Sequence, residues 1–302
     1  MSEEQRAAIH QLLRDAPFDL GGAVAIQRPR LEEMLTAHPL PDDVRTSTGE
    51  LGGVPVVFVD LAGVDAAGVL FHLHGGGFAL GSAMGSVELA SGLARRTGLS
   101  VVTVDYRLAP EHPYPAAVDD VVNAYRALLA REGGSTNVVV SGESAGGNLA
   151  LELLLALRAE GLAQPAAAVL LSPMTDLTVS GESYRTKAAA DPNITATAIR
   201  TRVGDYLGGT GVDPADPRVS PIFADLTGLP PLLVQAGSNE VLLDDATRLA
   251  VRAAADNVAV ILDVVPGVPH VFQAFAATLD EGAAALDRAG RFIGSHLASA
   301  TS

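Results

Sequence analysis

The chain has 302 residues, 48% of them hydrophobic, with no cysteine and a net charge of −15 from 35 acidic against 20 basic side chains. The missing cysteine excludes disulfides, thiolate nucleophiles and Cys-ligated metals, and the acidic balance, with Lys187 the only lysine and no basic run, argues against a nucleic-acid partner. No stretch reaches the ~18 uncharged apolar residues of a membrane span, and the start, Met1 to Arg6, is polar. The expectation is a cytoplasmic protein with no membrane partner, built as one large α/β domain or as a core with a small accessory lid.

Ala8, Ile9, Leu12 and Leu13 predict a helix over residues 3–14, and Leu31, Met34 and Leu35 a second over 30–37. Both precede the first convincing strand, so residues 1–45 read either as an arm packed on the core or as part of a lid. Val54–Val59, after a Gly-Gly turn, predicts an early antiparallel strand. Gly68–His74 predicts a strand buried on both faces, ending in His74-Gly75-Gly76-Gly77. Three successive glycines let backbone N–H groups face a ligand, such as an oxyanion, without side chains in the way. A phosphate loop is the weaker reading, because no Walker-type Gly-Lys-Ser/Thr run is present. His74 is expected to orient this loop, and His72 is given no role.

Leu99–Val104 predicts the next buried strand. A proline-rich connection follows, in which Arg107 and Glu111 are expected to pair and His112 to be structural, before a helix over 116–131. Val138–Glu143 then reads as a strand that turns sharply into a helix at Ser144. Gly142-Glu143-Ser144-Ala145-Gly146 is the G-x-S-x-G nucleophile elbow, with Ser144 expected in a strained backbone conformation and a helix N-terminus beside it. In a glycine-rich chain this pattern arises by chance often enough that its context has to decide.

The context is specific. His74-Gly75-Gly76-Gly77, the block Tyr106 to Asp120, and Gly142 to Gly147 occur in the order and at the spacing of the hormone-sensitive-lipase-like esterases, a bacterial branch of the α/β-hydrolase superfamily. The chain resembles that family over about residues 50–300. The resemblance implies an α/β-hydrolase fold: a mostly parallel central sheet flanked by helices, with a small helical cap. It divides the chain into an N-terminal cap segment, 1–45, and a catalytic domain, 46–302, carrying a cap insertion at about 177–220. Where the family more often has Asp before the nucleophile this chain has Glu143, expected to support the elbow.

After the elbow, helices are expected over 145–160 and 197–207, and strands over 166–171, 231–236 and 258–265. A triad needs a carboxylate just past the strand at 231–236, where Glu240, Asp244 and Asp245 compete. Asp244 and Asp245 fall where a helix start would use them as caps. Related esterases carry Asp-Pro-Leu-x-Asp here, and its first Asp, the acid, matches Glu240. His270 lies on the loop after the last strand, giving the order Ser, acid, His. The expected catalytic set is therefore Ser144, Glu240 and His270, with N–H groups of Gly76, Gly77 and Ala145 as the oxyanion hole. No metal or organic cofactor is required. The expected substrate is a short to medium acyl ester. Lactones and acetyl groups are alternatives using the same chemistry, and a non-catalytic small-molecule receptor is the rival from another class. The family's habit of dimerising makes a homodimer an expected partner, though no interface is legible.

Overall fold

The computed structural model describes residues 2–131 and 137–300. Helices α1 (Ser2–Asp15) and α2 (Val24–Leu35) precede a hairpin of β1 (Val44–Leu51) and β2 (Val54–Leu61). The core continues through β3 (Val69–Leu73), α3 (Val87–Thr97), β4 (Ser100–Val104), α4 (Ala116–Arg131), β5 (Val138–Glu143), α5 (Ala145–Ala159) and β6 (Ala167–Leu171). An insertion carrying α6 (Ser183–Thr186) and α7 (Ala196–Leu207) follows. The core then resumes with β7 (Leu232–Gly237), α8 (Leu243–Ala255), β8 (Val260–Val265) and α9 (Asp280–Ala300).

The described strands form one eight-stranded sheet in the order β1-β2-β4-β3-β5-β6-β7-β8. Only β2 runs against its neighbours; β4, β3 and β5 to β8 are parallel. Helical crossovers cover both faces, so the central strands read as continuous apolar runs rather than as alternating ones. Alternate residues still serve different layers. Val69, Phe71 and Leu73 pack toward α4, α5 and α8, while Leu70 packs toward α3 and α9. The parallel arrangement brings the C-terminal ends of β5, β6, β7 and β8 to one edge of the sheet, where ligands of open α/β sheets bind.

The N-terminal segment and the insertion meet over that edge. Arg202 Nη2 donates to Gly22 O at 3.1 Å, and a Cβ on Gly21 would lie 2.9 Å from Ala198 Cα. Tyr206 of α7 stacks on Phe78 with ring centroids 3.9 Å apart, meets Tyr114 edge-on, and donates to the buried Glu152 of α5 at 3.4 Å. Burial pushes the pKa of the Glu152 carboxyl, enclosed between α5 and the insertion, well above the usual range.

Several expectations are corrected. β1, with the sequence Val-Arg-Thr-Ser-Thr-Gly-Glu-Leu, had no predicted counterpart, because its six central residues are exposed and carry no hydrophobic alternation. α2 begins six residues before the predicted start and carries Pro29 inside it. Arg107 pairs with Asp120 at 2.8 Å, not with Glu111, which is held by Arg28 at 2.6 Å. That guanidinium holds the Glu111 carboxyl down at about 2. α8 starts at Leu243, and neither Asp244 nor Asp245 caps it. Asp245 is fully buried and accepts N–H bonds from Thr175 and Asp176, where the insertion leaves β6.

Burial, with the neighbouring Asp176 carboxylate, pushes Asp245 up to about 8. Folded protein then keeps a proton that the unfolded chain loses near the ordinary aspartate value of 3.8. This group's contribution to stability is therefore complete below that value and is lost as pH rises to about 8. Asp245→Asn keeps an acceptor for both N–H groups. Denaturant titrations across this range should show the variant losing less stability with rising pH than the parent; parallel curves would contradict the assignment.

Candidate active site

The elbow forms because two glycines allow backbone to touch backbone. A Cβ on Gly142 would lie 2.2 Å from Gly146 O, and one on Gly146 would lie 2.0 Å from Leu73 O. No side chain fits either gap, so β5, β3 and the first turn of α5 close on each other. Ser144 sits between them at φ 54°, ψ −119°, a conformation that costs roughly 1–3 kcal/mol in a residue with a Cβ. Its N–H donates to Leu171 O at 2.9 Å and its carbonyl accepts from Gly147 and Met174, both at 3.0 Å, which hold the strained geometry. Ala145 is the first residue of α5, so its N–H has no acceptor within the helix.

β3 ends beside this turn. His74 is enclosed, its ring stacked on Tyr106 at 4.2 Å and its Nδ1 2.8 Å from Gly75 O. Burial lowers its pKa, and its contacts fix the start of the glycine loop. Gly76 and Gly77 have φ of 109° and 62°, and the N–H groups of Ala79 and Leu80 turn back onto Gly76 O. Glu143 Oε1 accepts from Gly75 N at 2.8 Å, so the residue before Ser144 supports the glycine loop as well as the elbow.

Glu240 follows β7 and is fully buried. Its Oε2 lies 2.7 Å from His270 Nδ1, and its Oε1 accepts from Gly237 N at 3.0 Å. Burial raises the Glu240 pKa, while the hydrogen bond from His270, the His270 charge and a bond from the Ser172 hydroxyl draw it back down. A carboxylate only accepts, so Nδ1 carries the proton that faces Glu240. The two loops are joined through their backbones: Ser238 N–H meets Val265 O at 2.9 Å, and Asn239 N–H meets Val268 O at 3.1 Å. Asp244 turns elsewhere, its Oδ2 accepting from Ser183 N at 2.9 Å.

Four successive parallel strands therefore end in Ser144, Ser172, Glu240 and His270. Sequence reasoning missed Ser172, which has φ 47° and whose Oγ accepts from Val271 N at 3.1 Å. It also missed Asp191 of the insertion, whose carboxylate takes N–H bonds from Asn193, Ile194 and Val241, the last directly after Glu240. A strand-terminal Ser-Pro and an Asp-Pro-Asn turn were the only signals. A cleft of about 40 Å³ opens at His270 between Leu13 of α1, residues 191–194 and Pro269. Among the described residues no helix is long and apolar enough to cross a membrane.

Residues 70–274 match the model of an alpha/beta hydrolase fold family. The chain is 39% identical over 270 residues to an esterase of Acinetobacter venetianus, covering 89% of this chain and 88% of that one. It is 43% identical over 224 residues to an acetyl-hydrolase of Streptomyces hygroscopicus, covering 74% of each. The crystal structure of an esterase from the bacterial hormone-sensitive lipase family superposes with a TM-score of 0.93 at 40% identity, over 97% of this chain and 98% of that one. A strained serine after β5, a glycine loop after β3 and a carboxylate–imidazole pair after β7 and β8 thus accompany a likeness over nearly the whole length: the chain belongs to the α/β-hydrolase fold family, as an ester hydrolase of its hormone-sensitive-lipase-like branch.

Proposed function

We propose that the protein hydrolyses short to medium acyl esters through an acyl-enzyme, with Ser144 as nucleophile, His270 as general base and Glu240 as the acid of the triad. The observation that carries this reading is the 2.7 Å bond between buried Glu240 and His270 Nδ1 on the sheet edge that also carries Ser144. His270 Nε2 takes the Ser144 proton as Oγ attacks the ester carbonyl. The N–H groups of Gly76, Gly77 and Ala145 hold the oxyanion; one such donor is worth about 10²–10³ in rate. The tetrahedral intermediate collapses, the C–O bond to the alcohol breaks, and His270 returns the proton to the leaving alkoxide. Water, deprotonated by His270, then cleaves the acyl-enzyme and releases the carboxylic acid. Glu240 stabilises the imidazolium at both steps. The chemistry draws on no cofactor.

The likeness to an acetyl-hydrolase favours small acyl groups. Residues 1–45 and the insertion at about 177–220 act together as the cap, supported by the Arg202–Gly22 bond and by the cleft they share with His270. The reading places the enzyme in the cytoplasm, which fractionation of the source cells tests. A screen of p-nitrophenyl esters from acetate to laurate, with lactones alongside, should show turnover greatest at the short end; exclusive lactone turnover would replace the ester reading. A fluorophosphonate should label Ser144 in folded protein, and no labelling would indicate a receptor rather than an enzyme. Glu240→Gln should lose about 10²–10⁴ in kcat through a mis-set imidazole. Asp244→Asn, which keeps an acceptor for Ser183, should stay near wild type. The reverse pattern would make Asp244 the acid.

A second copy of the chain is the proposed partner. β8 is the outer strand, with Ile261, Leu262 and Val264 exposed at 53%, 39% and 37%. Its one charge, Asp263, is neutralised by Arg288 at 2.7 Å rather than standing guard on the edge. Unpaired edge backbone with apolar side chains pairs readily with its own symmetry mate. Sedimentation should give a dimer for the parent and a monomer for Leu262→Lys; a monomeric parent removes the proposal.

A further inference from the structure

Beside the candidate triad lies a second Ser–His–Glu arrangement, in which the serine and histidine are sealed from solvent. His72 of β3 and Ser141 of β5 are register partners in the parallel pair, and both are wholly buried. His72 Nδ1 is 2.8 Å from Ser141 Oγ, and His72 Nε2 is 2.8 Å from Glu143 Oε2. The ring is turned the opposite way from His270, which offers Nδ1 to its carboxylate. No substrate carbonyl reaches the enclosed Ser141 hydroxyl, so this set is not a second site of attack. The second carboxylate oxygen indicates what it does instead. Glu143 Oε1 accepts the N–H of Gly75, the first residue of the glycine loop, at 2.8 Å. Gly75 itself lies against the nucleophile: a Cβ there would be 3.1 Å from Ser144 Cβ.

We propose that Glu143, held by His72 and Ser141, is the positioning residue that fixes the oxyanion loop at its working distance from Ser144. One side chain spans two jobs because Glu143 and Ser144 are consecutive: whatever sets the nucleophile strand also sets Gly75, and Gly76 and Gly77 follow it. Nε2 and Oε2 are buried against each other 2.8 Å apart, in an orientation that falls outside a hydrogen bond, and the other carboxylate oxygen is left to accept from Gly75. The pairing of His72 with Glu143 thus gives a physical reason for both residues.

This inference rests on the oxyanion-hole reading above, and the test separates the two. Glu143→Leu keeps apolar volume but removes the acceptor, while Glu143→Gln keeps an oxygen for Gly75 N–H. Four readouts are compared: kcat, KM for p-nitrophenyl butyrate, the Kd of a butylboronic acid that adds to Ser144 as a tetrahedral anion, and fluorophosphonate labelling. Misplacing rather than deleting the oxyanion donors should lower kcat of Glu143→Leu about tenfold or more, with boronate affinity falling in parallel and KM nearly constant. Glu143→Gln should recover most of both. Folded Glu143→Leu with unchanged boronate affinity overturns the proposal, as does a loss confined to KM. If Glu143→Leu does not fold, His72→Phe asks the same question by freeing Oε2, and unchanged boronate affinity there is equally fatal. A parent enzyme that fails to label at Ser144 defeats the hydrolase reading instead.

Discussion

Backbone packed on backbone at the elbow is the constraint from which the site follows. Gly146 lies so close to Leu73 O that even a methyl group would collide, and Gly142 stands in the same relation to Gly146 O. This contact pulls the start of α5 against β3. Ser144 is thereby forced to positive φ, and the glycine loop begins at Gly75, two residues past Leu73. Strain at Ser144 is offset by hydrogen bonds from three directions, to Leu171, Gly147 and Met174. The turn is a rigid consequence of packing, with the Ser144 hydroxyl placed by the chain's own exclusions.

Electrostatics then sorts the carboxylates that crowd the sheet edge. Glu240, Asp245, Asp191 and Glu143 are chemically alike but differ in what faces them. Asp191 and Asp245 accept backbone N–H groups and brace the insertion at its root. Glu143 faces an imidazole and one N–H of the glycine loop. Glu240 alone faces an imidazole that also borders a cleft. A buried carboxylate is tolerated only with partners for its oxygens, and it is the partner that decides whether it braces, positions or orients.

Much of the core was legible because its signals are local. Short apolar runs mark β3, β4, β6 and β7, three valines before the elbow motif mark β5, and α4 was bounded to the residue. β1 escaped because an exposed strand beside the hairpin turn has no buried stripe to betray it. α3 drew no prediction, although Val87, Ala90, Leu93 and Ala94 bury one helical face. Pairings were the harder part. Arg107 chose Asp120 over Glu111, four residues away, because the chain beyond Pro113 folds back and presents Asp120 from α4. Ser172, Asp191 and His72 matter through contacts with residues roughly 50 to 100 positions away, and no single-sequence pattern reports such distances. The motifs single out Ser144, Gly76, Gly77, Ala145, Glu240 and His270 as candidates because each stands just past a recognisable strand or at the start of a helix.

The stack of Tyr206 on Phe78 joins two parts that are usually thought of separately. One ring belongs to the insertion that walls the cleft, the other to the segment directly after the glycine loop. A change that shifts α7 therefore also shifts Phe78 and the segment that follows the glycine loop. The insertion and the glycine loop are thus mechanically one piece in this chain, and an insertion borrowed from a relative would need its own aromatic at the position of Tyr206 to keep Phe78 in place.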